Sequence, residues 1–106
     1  MHPSTTRARG SVSRPPILVA TALSTCILTI LGIVAERHGW PLQGVSARIE
    51  KTMTPEAPRR IALLEVWISL PAGLSEEQRD VLRRAGESGP VKLSLEGAVP
   101  MRLHWA

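Results

Sequence analysis

From Pro16 to Ala35 the chain carries no charged side chain, although the whole sequence has only 106 residues. As a helix, at ~1.5 Å per residue, this stretch approaches the thickness of a bilayer core. Two structures accommodate it. One is a membrane span, and the arginine-bearing segment ahead of it would then act as a signal anchor. Ile33 and Ala35 do not form the small-residue pair of a cleavage site. The other is the buried core helix of a small domain. Thr21, Ser24, Thr25 and Thr29 dilute the run, which closes on Glu36, Arg37 and His38 and stops at Gly39. Periodicity does not separate the two, but the downstream sequence does, because a core helix needs a sheet to cover.

The pattern for that sheet follows. Val45, Ala47 and Ile49 alternate with Ser46, Arg48 and Glu50, the period of a strand with one buried face. Thr52 to Arg59, with two prolines, reads as a turn. In residues 60–70, Leu64, Val66, Ile68 and Leu70 then fall on one face and Leu63, Glu65, Trp67 and Ser69 on the other. The two strands predict an antiparallel hairpin. Ser75 and Gln78 have capping-box spacing, with Glu76 and Glu77 at the positive end of a helix whose apolar stripe is Val81, Leu82 and Ala85. Gly89 and Pro90 break that helix, Val91 to Leu95 suggest another short one, and Val99, Met101, Leu103 and Trp105 alternate as a last strand. The order helix, strand, strand, helix, short helix, strand predicts an α+β domain.

Composition narrows the function. The chain is 43% hydrophobic and 21% charged, enough for a packed core in a single small domain. One cysteine excludes an internal disulfide and any CxxC metal or redox motif. Of the net charge of +4, Arg7, Arg9 and Arg14 supply +3, while residues 17–106 hold 10 basic and 9 acidic groups. The charge is therefore not a basic face. With no Phe or Tyr and three scattered Trp, stacking on nucleic acid has no platform, and no nucleic-acid partner is expected. Residues 1–15 read as a flexible basic tail, and residues 16–106 as the domain.

Taken together, the stretch from Leu18 to Lys51, the stretch from Arg59 to Leu95 and the closing Val99–Trp105 resemble the OsmC/Ohr family of thiol-dependent peroxide reductases. The first resembles that family's long central helix, with Cys26 about a third of the way along and a Pro-Leu-x-Gly exit into a strand. The second is similar to the following strand and helix and to the second-cysteine motif, Cys-Pro-Val. Here Gly89-Pro90-Val91 stands in place of that motif. The resemblance implies an OsmC-like α+β fold, a long buried helix packed on an antiparallel sheet, a second helix near the last strand, and a cytoplasmic homodimer. It also implies that strands preceding residue 16 are missing. The abrupt loss of pattern before Pro16 is what a displaced start or a frameshift would leave.

Peroxide reduction by a thiol needs an attacking thiolate, a cation to hold it and a second thiol to resolve the sulfenic acid. By resemblance Cys26 is the attacking cysteine. A single cysteine in an apolar helix is otherwise most often a small buried hydrophobe. Cys26 lies beyond the first helical turn, where the helix dipole would help. The relatives' arginine and its orienting acid have no counterpart, since Pro16 stands where some relatives carry Glu. The second cysteine is Gly89, so an active protein would need an external small thiol or dithiol. The expectation is an OsmC-like protein with a degraded site. The alternatives are a non-catalytic dimeric binding module and a single-span membrane-anchored protein using residues 16–35. No cofactor is expected, and no metal, because Glu36, His38 and His104 have no ligand spacing. Trp40 and Trp67 read as packing residues. Ser24 lies outside any G-x-S-x-G elbow.

Overall fold

The computed structural model describes residues 15–106. The long apolar run forms α1 (Pro15–His38). The paired prolines at its start suit a first turn whose N–H groups have no helical partner. Its end is a Schellman motif: the Trp40 N–H donates to Ala35 O at 2.9 Å and the Gly39 N–H to Glu36 O at 3.2 Å. Gly39 sits at φ +71°, a conformation that disfavours any side chain with a Cβ. Arg37 and His38 place positive charge at the negative end of the helix.

The hairpin forms as predicted, from β1 (Ser46–Met53) and β2 (Ile61–Ser69). Their antiparallel register pairs Ala47 with Ile68 and Ile49 with Val66. Beyond β2 come α2 (Glu76–Glu87), α3 (Pro90–Leu95) and β3 (Met101–Trp105). β3 lies parallel to β2, giving the sheet order β1-β2-β3. A parallel neighbour requires a crossover, and α2 with α3 provides it.

The core lies between one stripe of α1 and one face of β2. Ala20, Leu23, Ile27, Leu31 and Ala35 recur at three- and four-residue intervals and meet Leu64, Val66 and Ile68, with Leu74 and Leu82 closing the end. The length and hydropathy of α1 would let it cross a membrane, but in this fold the buried stripe is the centre of the domain. The rest of the helix is different: Ile17 (42%), Leu18 (38%) and Ile33 (45%) are exposed apolar side chains.

Three boundaries differ from the sequence reading. β1 runs on through Thr52 and Met53, which read as turn, because their pairing with Leu63 and Ile61 continues across a bulge. β3 starts at Met101 rather than Val99. The Val99 N–H is taken by Leu95 O, and Pro100 has no N–H to offer. In α2 the buried positions are Leu82 and Gly86, while Val81 is 38% exposed. The capping box at its start is complete: the Gln78 N–H donates to Ser75 Oγ at 3.2 Å, and the Ser75 N–H donates to Gln78 Oε1 at 2.9 Å. The expected basic tail falls almost entirely on residues 1–14, outside the described residues.

Candidate active site

Cys26 is a free, partly buried thiol midway along α1. It stands one position before the buried Ile27 and shares a stripe with Ile30, four residues on. This stripe faces the junction between α2 and α3. A Cβ placed on Gly89 would stand 3.3 Å from Cys26 Sγ and 2.8 Å from Ile30 Cδ1. Gly89 is buried and serves as the N-cap of α3, with extended backbone at φ −68° and ψ 150°. Position 89 and the thiol are therefore direct neighbours across the helix interface.

A second glycine makes the same interface tighter. At Gly86 a Cβ would lie 2.5 Å from Trp105 Cη2, 2.9 Å from Trp105 Cζ2 and 3.5 Å from Ile27 Cγ2. The indole of β3 thus occupies the space over α2 that a side chain at position 86 would need. Its Nε1–H donates to Glu87 Oε2 at 3.0 Å. Glu87 also pairs with Lys92 Nζ at 3.5 Å, and Lys92 meets Glu96 Oε2 at 2.6 Å. Lys92 is only 13% exposed. The hydrogen bond to Glu96 holds its ammonium above the usual lysine range, against the opposing effect of burial. The network joins β3, α2 and α3.

The cations on the two helices facing Cys26 are engaged elsewhere. Arg79 donates through Nη2 to Pro71 O at 2.8 Å. Arg83 and Arg84 both pair with Asp80, and Lys92 is held by its two glutamates. Arg7, Arg9 and Arg14 lie outside the described residues. Pro16 is in the first turn of α1.

The remaining candidates from the sequence are dispersed. Ser24 Oγ donates to Thr21 O at 3.1 Å, back along its own helix. His38 stacks on Trp40 with ring centroids 4.3 Å apart at the end of α1. His104 is on the outer face of β3, stacked on Trp67 at 5.1 Å. Glu36, His38 and His104 are not brought together, and no group of three or more His, Cys, Asp or Glu side chains arranged to hold a metal occurs among the described residues. A shallow cleft of about 750 Å³, lined by His38, Trp40 and the first turns of α2, lies at the His38 end of α1 and includes neither Cys26 nor Gly89.

The family model described as OsmC-like protein matches residues 9–104. The chain belongs to the OsmC-like family. The match begins upstream of Pro16, where the sequence pattern alone places the edge of the domain. Solved structures of this family share the fold. An osmotic stress induced and detoxification response protein of Psychrobacter arcticus is 25% identical with a TM-score of 0.80, covering 99% of this chain and 76% of its own. The organic hydroperoxide resistance protein OsmC of Legionella pneumophila is 22% identical with a TM-score of 0.72, covering 92% of this chain and 72% of its own. The organic hydroperoxide resistance protein OhrB of Bacillus subtilis is 17% identical with a TM-score of 0.71, covering 100% of this chain and 79% of its own. No curated protein sequence matches this chain. The OsmC/Ohr architecture expected from the sequence, a long helix packed on a sheet with a second helix near the last strand, is the architecture observed, except that the sheet is mixed rather than antiparallel, because β3 pairs parallel with β2.

Proposed function

We propose that this chain is a one-thiol member of the organic hydroperoxide resistance group, in which Cys26 is the attacking thiol and the resolving thiol has been lost at Gly89. The observation that carries the reading is the 3.3 Å approach of a Gly89 Cβ to Cys26 Sγ, the contact a resolving cysteine would make. In this chemistry the Cys26 thiolate attacks one oxygen of the peroxide bond. The S–O bond forms as the O–O bond breaks, the alcohol leaves with a proton, and Cys26 becomes a sulfenic acid. With glycine at position 89 there is no internal thiol to displace the hydroxyl. A small external thiol does so, releasing water and leaving a mixed disulfide, and a second thiol molecule restores Cys26 and leaves as the oxidised disulfide. The occupied cations of α2 and α3 favour slow turnover, because thiol reactivity rises with the thiolate fraction.

The test is peroxide consumption by the purified protein with a small thiol, next to Cys26→Ser. The expected result is slow consumption with an organic hydroperoxide, abolished by the substitution, and a sulfenic acid on Cys26 that a trapping reagent captures. Equal rates in both proteins and no trapped sulfenate would instead support a non-catalytic binding module.

The uncovered side of α1 supports a homodimer, which forms part of the same proposal together with a cytoplasmic location. Ile17, Leu18 and Ile33 are exposed apolar side chains on a helix of whose most apolar 18 residues only 22% are buried, surface that a second copy would cover. Sedimentation of the detergent-free protein is expected to give twice the 11.5 kDa chain mass, and Ile33→Glu is expected to shift it toward the monomer. A monomeric wild type would remove the dimer from the proposal. A protein recovered only with detergent would favour the membrane-anchored alternative.

A further inference from the structure

The space that glycine leaves at position 89, beside Cys26, is not empty. The δ-methyl of Ile30 fills it: a Cβ on Gly89 would stand 2.8 Å from Ile30 Cδ1, nearer than its 3.3 Å approach to Cys26 Sγ. Ile30 follows Cys26 by four residues, so the two side chains rise next to one another from α1. Both are partly buried, and Gly89 is buried. Leu28, Leu31 and Val34 on the same helix belong to the core or pack against it, whereas Ile30 stands outside that cluster. Its methyl is spent at the thiol rather than in the core.

Resolving a sulfenic acid is an in-line displacement at sulfur. The attacking thiolate comes from the side opposite the S–O bond, and the oxygen leaves as water. A sulfur carried at position 89 would approach Cys26 Sγ from the α3 side, with the oxygen left by the peroxide on the far side. In this chain the α3 side is where the Ile30 methyl stands.

Resting on the reading of Cys26 as the attacking thiol, we propose that Ile30 controls access of the external thiol to the Cys26 sulfenic acid and selects for a small one. The incoming thiol takes the approach left open by glycine at position 89. Cys26–SOH and RSH then give Cys26–S–S–R and water: the S–S bond forms as the S–O bond breaks, Sγ is reduced and the external sulfur is oxidised. The methyl must turn aside first. Isoleucine in a helix keeps to one side-chain rotamer about 90% of the time, so the open arrangement is the minor one. The peroxide reaches Sγ from the opposite side and does not meet the methyl. Ile30 therefore acts on resolution and not on oxidation.

Ile30→Val removes the δ-methyl alone. Protein oxidised with one equivalent of cumene hydroperoxide is mixed with 2-mercaptoethanol, and the sulfenic acid still present is captured with a trapping reagent and counted by mass spectrometry. Ile30→Val should lose it about three- to tenfold faster than the wild type, the range that one dominant rotamer sets, with an oxidation step changed by less than about twofold. Glutathione, a bulkier thiol, should gain less. Adding Gly89→Ala to Ile30→Val returns a methyl to the same space, on backbone at φ −68° and ψ 150° that accepts alanine, and should bring the rate back near that of the wild type. General loosening of the fold would speed both thiols and both steps alike. Equal resolution rates in wild type and Ile30→Val, or an equal gain with both thiols, would overturn the proposal.

The role of Ile30 is also measured without peroxide. In Gly89→Cys, diamide closes the 26–89 disulfide along the same approach to Sγ, and Ile30→Val/Gly89→Cys should close about three- to tenfold faster. Equal closure rates would remove Ile30 from the site. Faster closure in a protein whose wild type yields no sulfenic acid would uphold Ile30 as the residue guarding the thiol, and would end the reading of Cys26 as peroxide-reactive.

Discussion

Gly89→Cys is expected to yield a protein whose two thiols close into an internal disulfide on mild oxidation. Across a disulfide, the Cβ of one residue lies about 3 Å from the sulfur of the other. A Cβ at position 89 already stands 3.3 Å from Cys26 Sγ, so the backbone needs to move by only a few tenths of an ångström. The obstacle is Ile30 Cδ1 at 2.8 Å, the far end of a flexible side chain that can turn away. Neither the φ nor the ψ of Gly89 demands glycine, since the backbone there is extended with φ −68°. The bridge would close the long loop between positions 26 and 89. In the chain-entropy account that stabilises the oxidised form by roughly 4 kcal/mol. Thiol counting and intact mass under non-reducing conditions check the outcome, with Cys26→Ser/Gly89→Cys as the control that cannot bridge internally. Two titratable thiols persisting in a folded, oxidant-treated variant would show that positions 26 and 89 are not a thiol pair, and the one-thiol proposal would lose its central support.

The elements of this fold were legible where a side-chain pattern exposes them. The alternation through Val45–Glu50 and Leu63–Leu70 became the hairpin, and Ser75 with Gln78 became a complete capping box. Cys26 and position 89 were legible only through family resemblance, because a cysteine in an apolar run reads as packing and a glycine before a proline reads as a break. The inward face of α2 was misread for a related reason. Hydrophobic periodicity assigned Val81 to the core, whereas the helix buries Gly86 in its place, and a glycine adds nothing to an apolar stripe. A buried glycine marks where a neighbour comes close, and the neighbour here is Trp105, 19 residues further along the sequence. Nor does the alternation of the last strand tell whether it lies parallel or antiparallel to β2. That orientation follows from the crossover through α2 and α3, a property of the whole arrangement.

The same contact leads to the second large effect, in which two Gly→Ala substitutions in helices are expected to have opposite signs. At Gly32, in α1, an added Cβ meets nothing within 4 Å. Alanine there should stabilise the protein by about 0.5–1 kcal/mol, because it loses less backbone freedom on folding than glycine does. At Gly86 the same gain in helix propensity is outweighed. The new Cβ would fall 2.5 Å from Trp105 Cη2, well inside contact distance, with Ile27 Cγ2 at 3.5 Å behind it. The indole is poorly placed to retreat, since its Nε1–H is bonded to Glu87 and its strand is paired with β2. Overpacking of this kind costs about 1–3 kcal/mol, so Gly86→Ala should lose up to about 2 kcal/mol net of the propensity gain. Gly86→Val should lose more. Denaturant titration at a fixed protein concentration measures both signs, and Trp105→Phe in the Gly86→Ala background isolates the cause. The smaller ring should recover part of the loss, giving a coupling energy of about 0.5–3 kcal/mol for residues in direct contact. A Gly86→Ala protein as stable as Gly32→Ala would mean that β3 does not press its indole into α2. The wall beside Cys26 would then be looser than the packing of Trp105 on Gly86 requires.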